Sequence, residues 1–515
     1  MKIGDLETTK RFFEEKLRSP LFGAGVYAFH RLGPEEFVPD YRILALRYSS
    51  DTELIEKDIE VISLEKGMGT MHIPEPRNAT TVLKHKKVQS YLSRFPRPRI
   101  LIYKTSRTME RLAKTNGWVL IQNPLYFGKT LFENKTVFRK LVESLNISPP
   151  PGDVAFIPEE TSDAHIRQYY TAWKSRYGLP FVLQHPTHGG GKGTFFIHTE
   201  EDASRAVGKI VRESASLTRQ KPTLITLIIA KFIKGPSPSI TGCVTRHGIL
   251  STNLQHQILD SPYLYHPTKG SGLFCGHDWS SSRFPQHIEE QAYAIAERVG
   301  MRLRQSGYKG IFGIDFVMDS KKEILYPTEC NARLLGSFPS LTMVQLRNGE
   351  PPILAFHIME FSGLEYDLDV KEVNRLMRTP KEGAQMILHN LSQKWAKNLG
   401  GLNAGVYRLK APVGSSSFSL SSGIEFVRPG YKLRHLFEKG EFLVTEGVPF
   451  KKSHFSPNRR LVRIVTLERL LDVPPRRLAP WAYTVARLTY KALDMRPIRF
   501  IKFFKLLNPK FLAKG

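Results

Sequence analysis

Three residues near the middle of the chain have the types and spacing of a hard-cation site. Asp315 stands in the apolar run Gly310-Ile-Phe-Gly-Ile-Asp-Phe-Val-Met318, and Glu329-Cys-Asn331 stands in Ile324-Leu-Tyr-Pro-Thr-Glu-Cys-Asn-Ala-Arg333. Both runs read as strands, joined by a turn at Asp319-Ser-Lys-Lys322. Side chains two apart on a strand face the same way, so Glu329, Asn331 and Arg333 share a face. Antiparallel pairing of the two runs can bring Asp315 onto it too. Two carboxylates and an amide oxygen suit Mg²⁺ carried on substrate phosphates, with Mn²⁺ as an alternative, and Arg333 would meet an anion beside the metal. The competing reading is a polar strand edge with an ordinary salt bridge. A second cluster, Gly189-Gly-Gly-Lys-Gly193, is neither a Walker loop, since Gly193 follows Lys192, nor a dinucleotide fingerprint, since a strand rather than a helix follows. It reads as the tip of a β-hairpin whose N–H groups can close over phosphate oxygens, or as a merely flexible hairpin.

The surrounding elements must hold these groups in place. Tyr41 to Arg47, Arg99 to Tyr103 and Trp118 to Gln122 read as strands, with a helix from Ser106 to Thr115 between the last two. That order predicts a small α/β layer with parallel strands. A helix opens near Glu133-Asn-Lys135 and ends before Pro149-Pro-Pro-Gly152. Strands at Val154 to Ile157, Phe181 to Gln184, Thr194 to His198 and Leu224 to Ile233 alternate with helices from Ser162 and Thr199. Beyond Gly235 come strands at Ser239 to Thr245 and Gly248 to Leu254, a long loop with Gly270, Gly272 and Gly276, and a helix from Pro285 to Gln305. A serine-rich β segment spans Gly414 to Val427.

In this order the motifs resemble the ATP-grasp superfamily over roughly Asn134 to Phe361. The resemblance is carried by Asn134-Lys135, Leu179-Pro-Phe-Val-Leu183 before the glycine loop, Lys231-Phe-Ile-Lys-Gly235, Gly313-Ile-Asp-Phe316 and the Glu-x-Asn-x-Arg pattern of Glu329 to Arg333. It implies an α/β ATP-grasp fold: a pre-ATP-grasp α/β domain over 1–130, the ATP-grasp domain over 131–362, a β-rich extension over 363–470 and a basic helical tail over 471–515. It implies that Mg-ATP is held by Lys135, by Gln184 and the loop Gly189, Gly190, Gly191, Lys192 and Gly193, and by the hinge Lys231, Phe232 and Ile233 offering backbone groups to adenine. His256 would touch the nucleotide. Asp315, Glu329 and Asn331 would hold magnesium, and Arg333 would stabilise charge as an acceptor carboxylate attacks the γ-phosphate. The implied activity is a carboxylate–amine ligase working through an acyl phosphate. Three positions depart from the pattern: Gln184 replaces a phosphate-binding lysine, Ala230 a hinge glutamate and Ile258 the lysine of the carboxylases. The rivals are a nucleotide-binding pseudo-ligase and an adaptor for anionic surfaces.

The adaptor reading comes from charge. The 515 residues carry 75 Lys or Arg against 48 Asp or Glu, a net of +27. From Lys451 to Gly515 there are 16 basic residues against three acidic, about half of the excess. Trp481, Val485, Leu488 and Ala492 recur at helical spacing, as do Ile498, Ile501, Phe504 and Leu507 with Arg499, Lys502 and Lys505 between them. Such a helix docks on the protein's own core or lies on anionic lipid. Nucleic acid is the weaker partner, because the aromatics sit on the apolar face. Cys243, Cys275 and Cys330 are far apart with no CxxC, which argues against disulfides and zinc. With charges in the first ten residues and no apolar run of membrane length, the expected location is the cytoplasm, or its membrane face through the tail.

Overall fold

The first five labelled strands carry short apolar runs with little alternation, the pattern of a sheet covered on both faces. They are β1 (Leu21–Gly25), β2 (Tyr41–Ala45), β3 (Val61–Ser63), β4 (Arg99–Ile102) and β5 (Val119–Ile121). All are parallel, in the order β3-β2-β1-β4-β5, so the strand order reverses between β1 and β4. Helix α1 (Arg107–Asn116) joins β4 to β5; Ser106 caps it by accepting the Met109 N–H, and Gly117 ends it in the left-handed conformation at φ 69°. Leu44, Ile100 and Ile102 pack beneath α1 with Met109 and Ala113, while Ile43, Leu101 and Ile121 face the rest of the molecule. This is the parallel layer expected from the sequence. The computed structural model describes residues 1–68, 78–189, 193–217, 224–266, 272–410, 422–472 and 477–498.

Helix α2 (Lys135–Ser144) leads into a second sheet of β6 (Gly152–Pro158), β7 (Phe181–Gln184), β8 (Thr194–Ile197) and β9 (Leu224–Lys231), antiparallel in the order β6-β9-β7-β8. Helices α3 (Asp163–Tyr177) and α4 (Glu200–Leu217) cover one face, burying Trp173, Phe181, Leu183, Ile197 and Ile225. Alternation sends Val182, Gln184 and Phe196 to the uncovered face.

Among the described residues the largest sheet has eleven strands. They are β10 (Pro238–Val244), β11 (Ile249–Ser251), β12 (Gln255–Leu259), β13 (Phe274–Asp278), β14 (Gly310–Asp319), β15 (Ile324–Asn331), β16 (Ala384–His389), β17 (Gly405–Leu409), β18 (Ile424–Arg428), β19 (Phe442–Thr445) and β20 (Arg460–Thr466). β12 and β13 occupy much of the stretch expected to be a long loop. Their polar residues Gln255, His256, His277 and Asp278 are buried, so no apolar alternation marks them. The sheet also runs through the division expected at 362/363, because β13 pairs with β16. Gly276 allows that pairing: a Cβ there would lie 2.0 Å from the Gln385 carbonyl oxygen.

Helix α5 (Gln286–Gln305) covers one face of this sheet with Ile288, Ala292, Val299 and Leu303. Helix α6 (Ile353–Ser362) covers the other, and is buried from Ile353 to Glu360 because it lies between the large sheet and the parallel layer. His357 pins it there. Its Nδ1 accepts the Ile311 N–H at 3.0 Å, and its Nε2 lies 3.2 Å from the Ile121 carbonyl oxygen. Burial pushes its pKa down to about 4, so the ring is neutral.

The tail begins with helix α7 (Pro480–Leu493), whose Ala482, Val485, Leu488 and Leu493 sink into a core shared with Met386, Val444 and Ile464. The strand Met495–Pro497 then pairs with Ala396–Asn398. This first part is docked on the protein. The second amphipathic stretch, with Arg499, Ile501, Lys502, Phe504, Lys505 and Leu507, lies outside the described residues, as does 411–421 of the serine-rich segment. Among the described residues no helix is long and apolar enough to cross a membrane.

Asp51 joins the parallel layer to the extension. It is fully buried, and one oxygen accepts the N–H groups of Gly447 and Val448 at 2.8 and 2.9 Å and the Ser49 hydroxyl at 2.9 Å. The second oxygen has no partner among the described residues. Burial pushes the pKa up to about 6. A folded-state pKa above the unfolded value of about 3.9 means that the group's contribution is complete below that value and fades as pH rises through 6. Asp51→Asn removes this penalty. Its stability relative to wild type should improve by about 2 kcal/mol between pH 4 and pH 7.5, measured by denaturant unfolding. An offset equal at both pH values would contradict the assignment.

Candidate active site

The centre of the site is a register fact. On the ladder of β14 and β15, Asp315 stands directly opposite Glu329, and Gly313 opposite Asn331. Residues paired this way point to one face, while the neighbours Ile314, Phe316 and Cys330 enter the core behind. Asp315 accepts the Gln257 amide at 2.8 Å on one oxygen and the Asn331 amide at 2.8 Å on the other. Burial, reinforced by the Glu329 charge, pushes the Asp315 pKa up to about 7. Glu329 is compensated from the other side, with Lys135 Nζ 2.9 Å from its Oε2.

Lys135 owes its position to the start of α2, where the Asn134 side chain caps the helix by accepting the Thr136 N–H at 3.0 Å. Its ammonium also donates to the His188 carbonyl at 2.7 Å, and its backbone N–H donates to the Pro186 carbonyl at 2.9 Å. One residue therefore ties the metal-type carboxylate to the stem of the glycine loop. Of that loop, Gly190, Gly191 and Lys192 lie outside the described residues. A Cβ at Gly189 would stand 3.8 Å from Glu329 Oε1, and a Cβ at Gly193 would lie 2.6 Å from that of His188 and 2.9 Å from that of His185. Only glycine fits at 193, and Gly189 stands beside Glu329.

Arg333 lies beyond Asn331. Its Nε is 3.1 Å from Glu133 Oε1, its Nη2 donates to Asn331 Oδ1 at 2.6 Å, and its Nη1 donates to Tyr103 and to the Leu334 carbonyl at 3.3 and 3.1 Å. Glu133 in turn holds Lys104. Charges thus alternate from Lys104 through Glu133 to Arg333, and from the carboxylate pair to Lys135. A narrow cavity between the ends of β5 and β15 is lined by Lys104, Thr105, Gln122, Asn123, Glu133 and Arg333. Asn331 departs from expectation. Its oxygen is taken by Arg333 and its NH₂ faces Asp315, so in this geometry it offers no oxygen to a metal.

The remaining expected residues divide. Gln184 is on the uncovered face of the second sheet, where its amide donates to the Thr194 hydroxyl on the neighbouring strand at 3.2 Å. At the hinge, the Lys231 N–H is already bonded to the Pro151 carbonyl at 2.8 Å, and the Phe232 ring packs edge-on to Phe196 at 5.4 Å. Ile233 is buried, and its N–H has no hydrogen-bond partner among the described residues. His256 is not brought to the site. Ser239 pairs with both Asp315 and Gln255, which puts Gln255 and Gln257 on the carboxylate face and His256 on the other. There it packs 4.2 Å from the Phe284 ring, and burial pushes its pKa down to about 4. Sequence reasoning missed Glu133, Gln257, Tyr103, Lys104 and His185. Of these only Glu133, directly before Asn134-Lys135, had a local signal.

Residues 164–337 match the family model described as ATP-grasp domain. The chain contains an ATP-grasp domain. No curated protein sequence matches it. Among solved structures it is similar to the biotin carboxylase domain of the Hydrogenobacter thermophilus 2-oxoglutarate carboxylase in complex with MgADP, ADP and bicarbonate. That match has 12% identity, 93% of this chain, 91% of that one and a TM-score of 0.54. It is similar to a biotin carboxylase–β-γ-ATP complex from Campylobacter jejuni at 13% identity, with 96% and 97% covered and a TM-score of 0.54. Rhizobium etli pyruvate carboxylase is also similar, at 13% identity and a TM-score of 0.53, over 96% of this chain and 39% of that one. These likenesses are of fold, and they extend over the N-terminal layer and the extension as well as the ATP-grasp domain. Asp315, Glu329 and Arg333 fall within the matched span, whereas Glu133 and Lys135 precede it.

The ion pair of Glu329 with Lys135 yields a stability prediction. Lys135 has a side chain only 3% exposed, so Glu329→Ala leaves a buried ammonium facing no carboxylate at close range. The expected loss is about 3 kcal/mol in denaturant unfolding, the scale for breaking a buried pair by removing one partner. Glu329→Gln, which keeps an acceptor oxygen, should lose less. Equal stability of Glu329→Ala and wild type would show that Lys135 does not depend on this contact.

Proposed function

We propose that this ATP-grasp protein is an ATP-dependent ligase that activates a carboxylate as an acyl phosphate and couples it to an amine. The observation carrying the proposal is the directly opposed pair Asp315 and Glu329, flanked by Lys135 on the loop side and Arg333 on the side of the parallel layer. Solved relatives of the same fold were obtained with MgADP and with β-γ-ATP, which supports Mg-ATP as the bound nucleotide.

The residues fit a magnesium ion. The raised Asp315 pKa reflects two carboxylates confined together out of water, and a hard divalent cation on their oxygens would remove that conflict. Asp315 and Glu329 would hold it, and it would neutralise charge on the phosphate oxygens. The chain's own groups do the rest. Lys135 supplies a fixed positive charge beside Glu329, close to the loop that covers the phosphates. Glycines at these positions would let N–H groups approach phosphate oxygen atoms without a Cβ in the way. Arg333 orients the acceptor carboxylate, whose oxygen attacks the γ-phosphorus as ADP leaves, and Glu133 keeps its guanidinium in position. The amine nitrogen then attacks the acyl carbon and inorganic phosphate departs. Positioning and charge neutralisation supply most of the acceleration in such phosphoryl transfer.

A biotin-carboxylase-like reaction is the less favoured reading. Ile258, where that family has a lysine, is buried in an apolar cluster with Leu264, Cys275 and Met386.

The reading is tested by ADP release and hydroxylamine trapping with a panel of carboxylates and amines. Asp315→Asn keeps the shape of the side chain and one accepting oxygen for the Asn331 amide, and a turned-over Gln257 amide can accept from its new NH₂, so its melting temperature should stay within a few degrees of wild type. Its Mg²⁺-dependent ADP production should fall at least 100-fold. Turnover equal to wild type would remove Asp315 from the machinery.

A further inference from the structure

Among the described residues, one buried cation near the site has no carboxylate and no hydrogen-bond partner for its guanidinium. Arg31 follows β1 in the short 3-10 turn Phe29–Arg31 and is 5% exposed. Its Nε and Nη1 are shielded from solvent with no hydrogen-bond partner, and its guanidinium forms no ion pair with any described residue. Burial pulls its pKa below the usual arginine value. A desolvated cation without hydrogen bonds is unfavourable, and packing alone would be better served by an apolar side chain.

The strand beside it is nevertheless shaped to admit it. A Cβ at Gly25 would lie 2.9 Å from Arg31 Nε, and one at Gly23 would lie 2.9 Å from Arg31 Cβ. The two glycines of β1 form the trough in which the side chain lies. Its guanidinium carbon stands 5.8 Å from the Tyr103 ring centroid, and that of Arg333 stands 5.4 Å from the same ring. Arg333 already has Glu133 and Asn331 as partners. Arg463, buried nearby, is paired with Glu446. Arg31 and Tyr103 also sit just past the carboxyl ends of β1 and β4, where the strand order reverses, the position at which open α/β sheets take up ligands.

We propose that Arg31 is a substrate-binding residue whose guanidinium receives an oxyanion, carboxylate or phosphate, of a small-molecule substrate lying against Tyr103 and Arg333. The proposal rests on the ligase reading, and it specifies the substrate as one carrying an anionic group besides the carboxylate that reacts. A planar fork is suited to such a group, and binding it would supply the charge that the fold withholds.

The test uses the full chain at constant ionic strength, with inorganic phosphate and succinate as probes and MgADP in parallel, followed by calorimetric titration and thermal unfolding. At least one probe should bind wild type saturably, and Arg31→Met should weaken it tenfold or more. MgADP affinity should stay within twofold, and the melting temperature of the variant without anion should equal or exceed that of wild type. A preference for phosphate indicates a phosphorylated substrate, and a preference for succinate a second carboxylate. Equal affinity in both chains, or no saturable binding of either probe, overturns the proposal. Arg31→Gln is measured alongside; failure of both variants to fold would show a structural role and count against it equally. Loss of MgADP binding by wild type itself would instead overturn the ligase reading.

Discussion

Two carboxylates held opposite each other, largely out of water, are the constraint around which this site is built. Each rung of the ladder between Gly310–Asp319 and Ile324–Asn331 sends paired residues to one face, so Asp315 and Glu329 cannot avoid one another. Side-chain motion relieves little of this, because amides from Gln257 and Asn331 fix both oxygens of Asp315. The protein answers with cations from elsewhere in the chain. Lys135 comes from the start of a helix nearly 200 residues upstream, and Arg333 from just past the end of the same strand as Glu329. A site that must be neutralised by separate elements is complete only when those elements have docked.

That dependence links three layers. Glu133 and Lys135 lie on either side of Asn134, yet one faces Arg333 and the other Glu329. The helix cap at Asn134 therefore sets the spacing between two parts of the site. The parallel layer contributes Tyr103 and Lys104 from the end of its fourth strand. His357 holds that layer at a fixed distance from the large sheet through two backbone partners, Ile311 and Ile121. Its neutral ring is what allows one nitrogen to accept while the other donates; a charged ring would lose the first bond. On the other side, the carbonyls of Pro186 and His188 accept from Lys135, so the stem before the glycine cluster is tied to the lysine that pairs with Glu329.

Much of this was legible in the amino-acid sequence because the chemistry-bearing residues sit on strongly patterned strands. Asp315 and Glu329 interrupt apolar runs joined by a short turn, and period-two alternation combined with antiparallel pairing of the two runs can bring both onto one face. The parallel layer was legible for a similar reason, since its strands are short apolar runs separated by a capped helix. Gln255 to Leu259 and Phe274 to Asp278 were not, because their buried residues are polar and satisfied by contacts such as Gln255 to Ser239 and Gln385 to His277. Local pattern cannot register a hydrogen bond that closes across the sheet. His256 shows the same limit, as a one-residue shift in register reverses the face to which a side chain points. Glu133, Tyr103 and Lys104 reach the site only through tertiary docking, and the trough that holds Arg31 is made by two glycines of a strand that carry no local signal.

Asn331 shows how these parts act on each other. An amide has one accepting and one donating end, and here each end is claimed: Asp315 accepts from the nitrogen, and Arg333 donates to the oxygen. The orientation of this one side chain is therefore set jointly by the charge on a carboxylate and the position of a guanidinium. Neither partner can be exchanged without disturbing the other, so this single amide couples the carboxylate pair on one side to the guanidinium on the other.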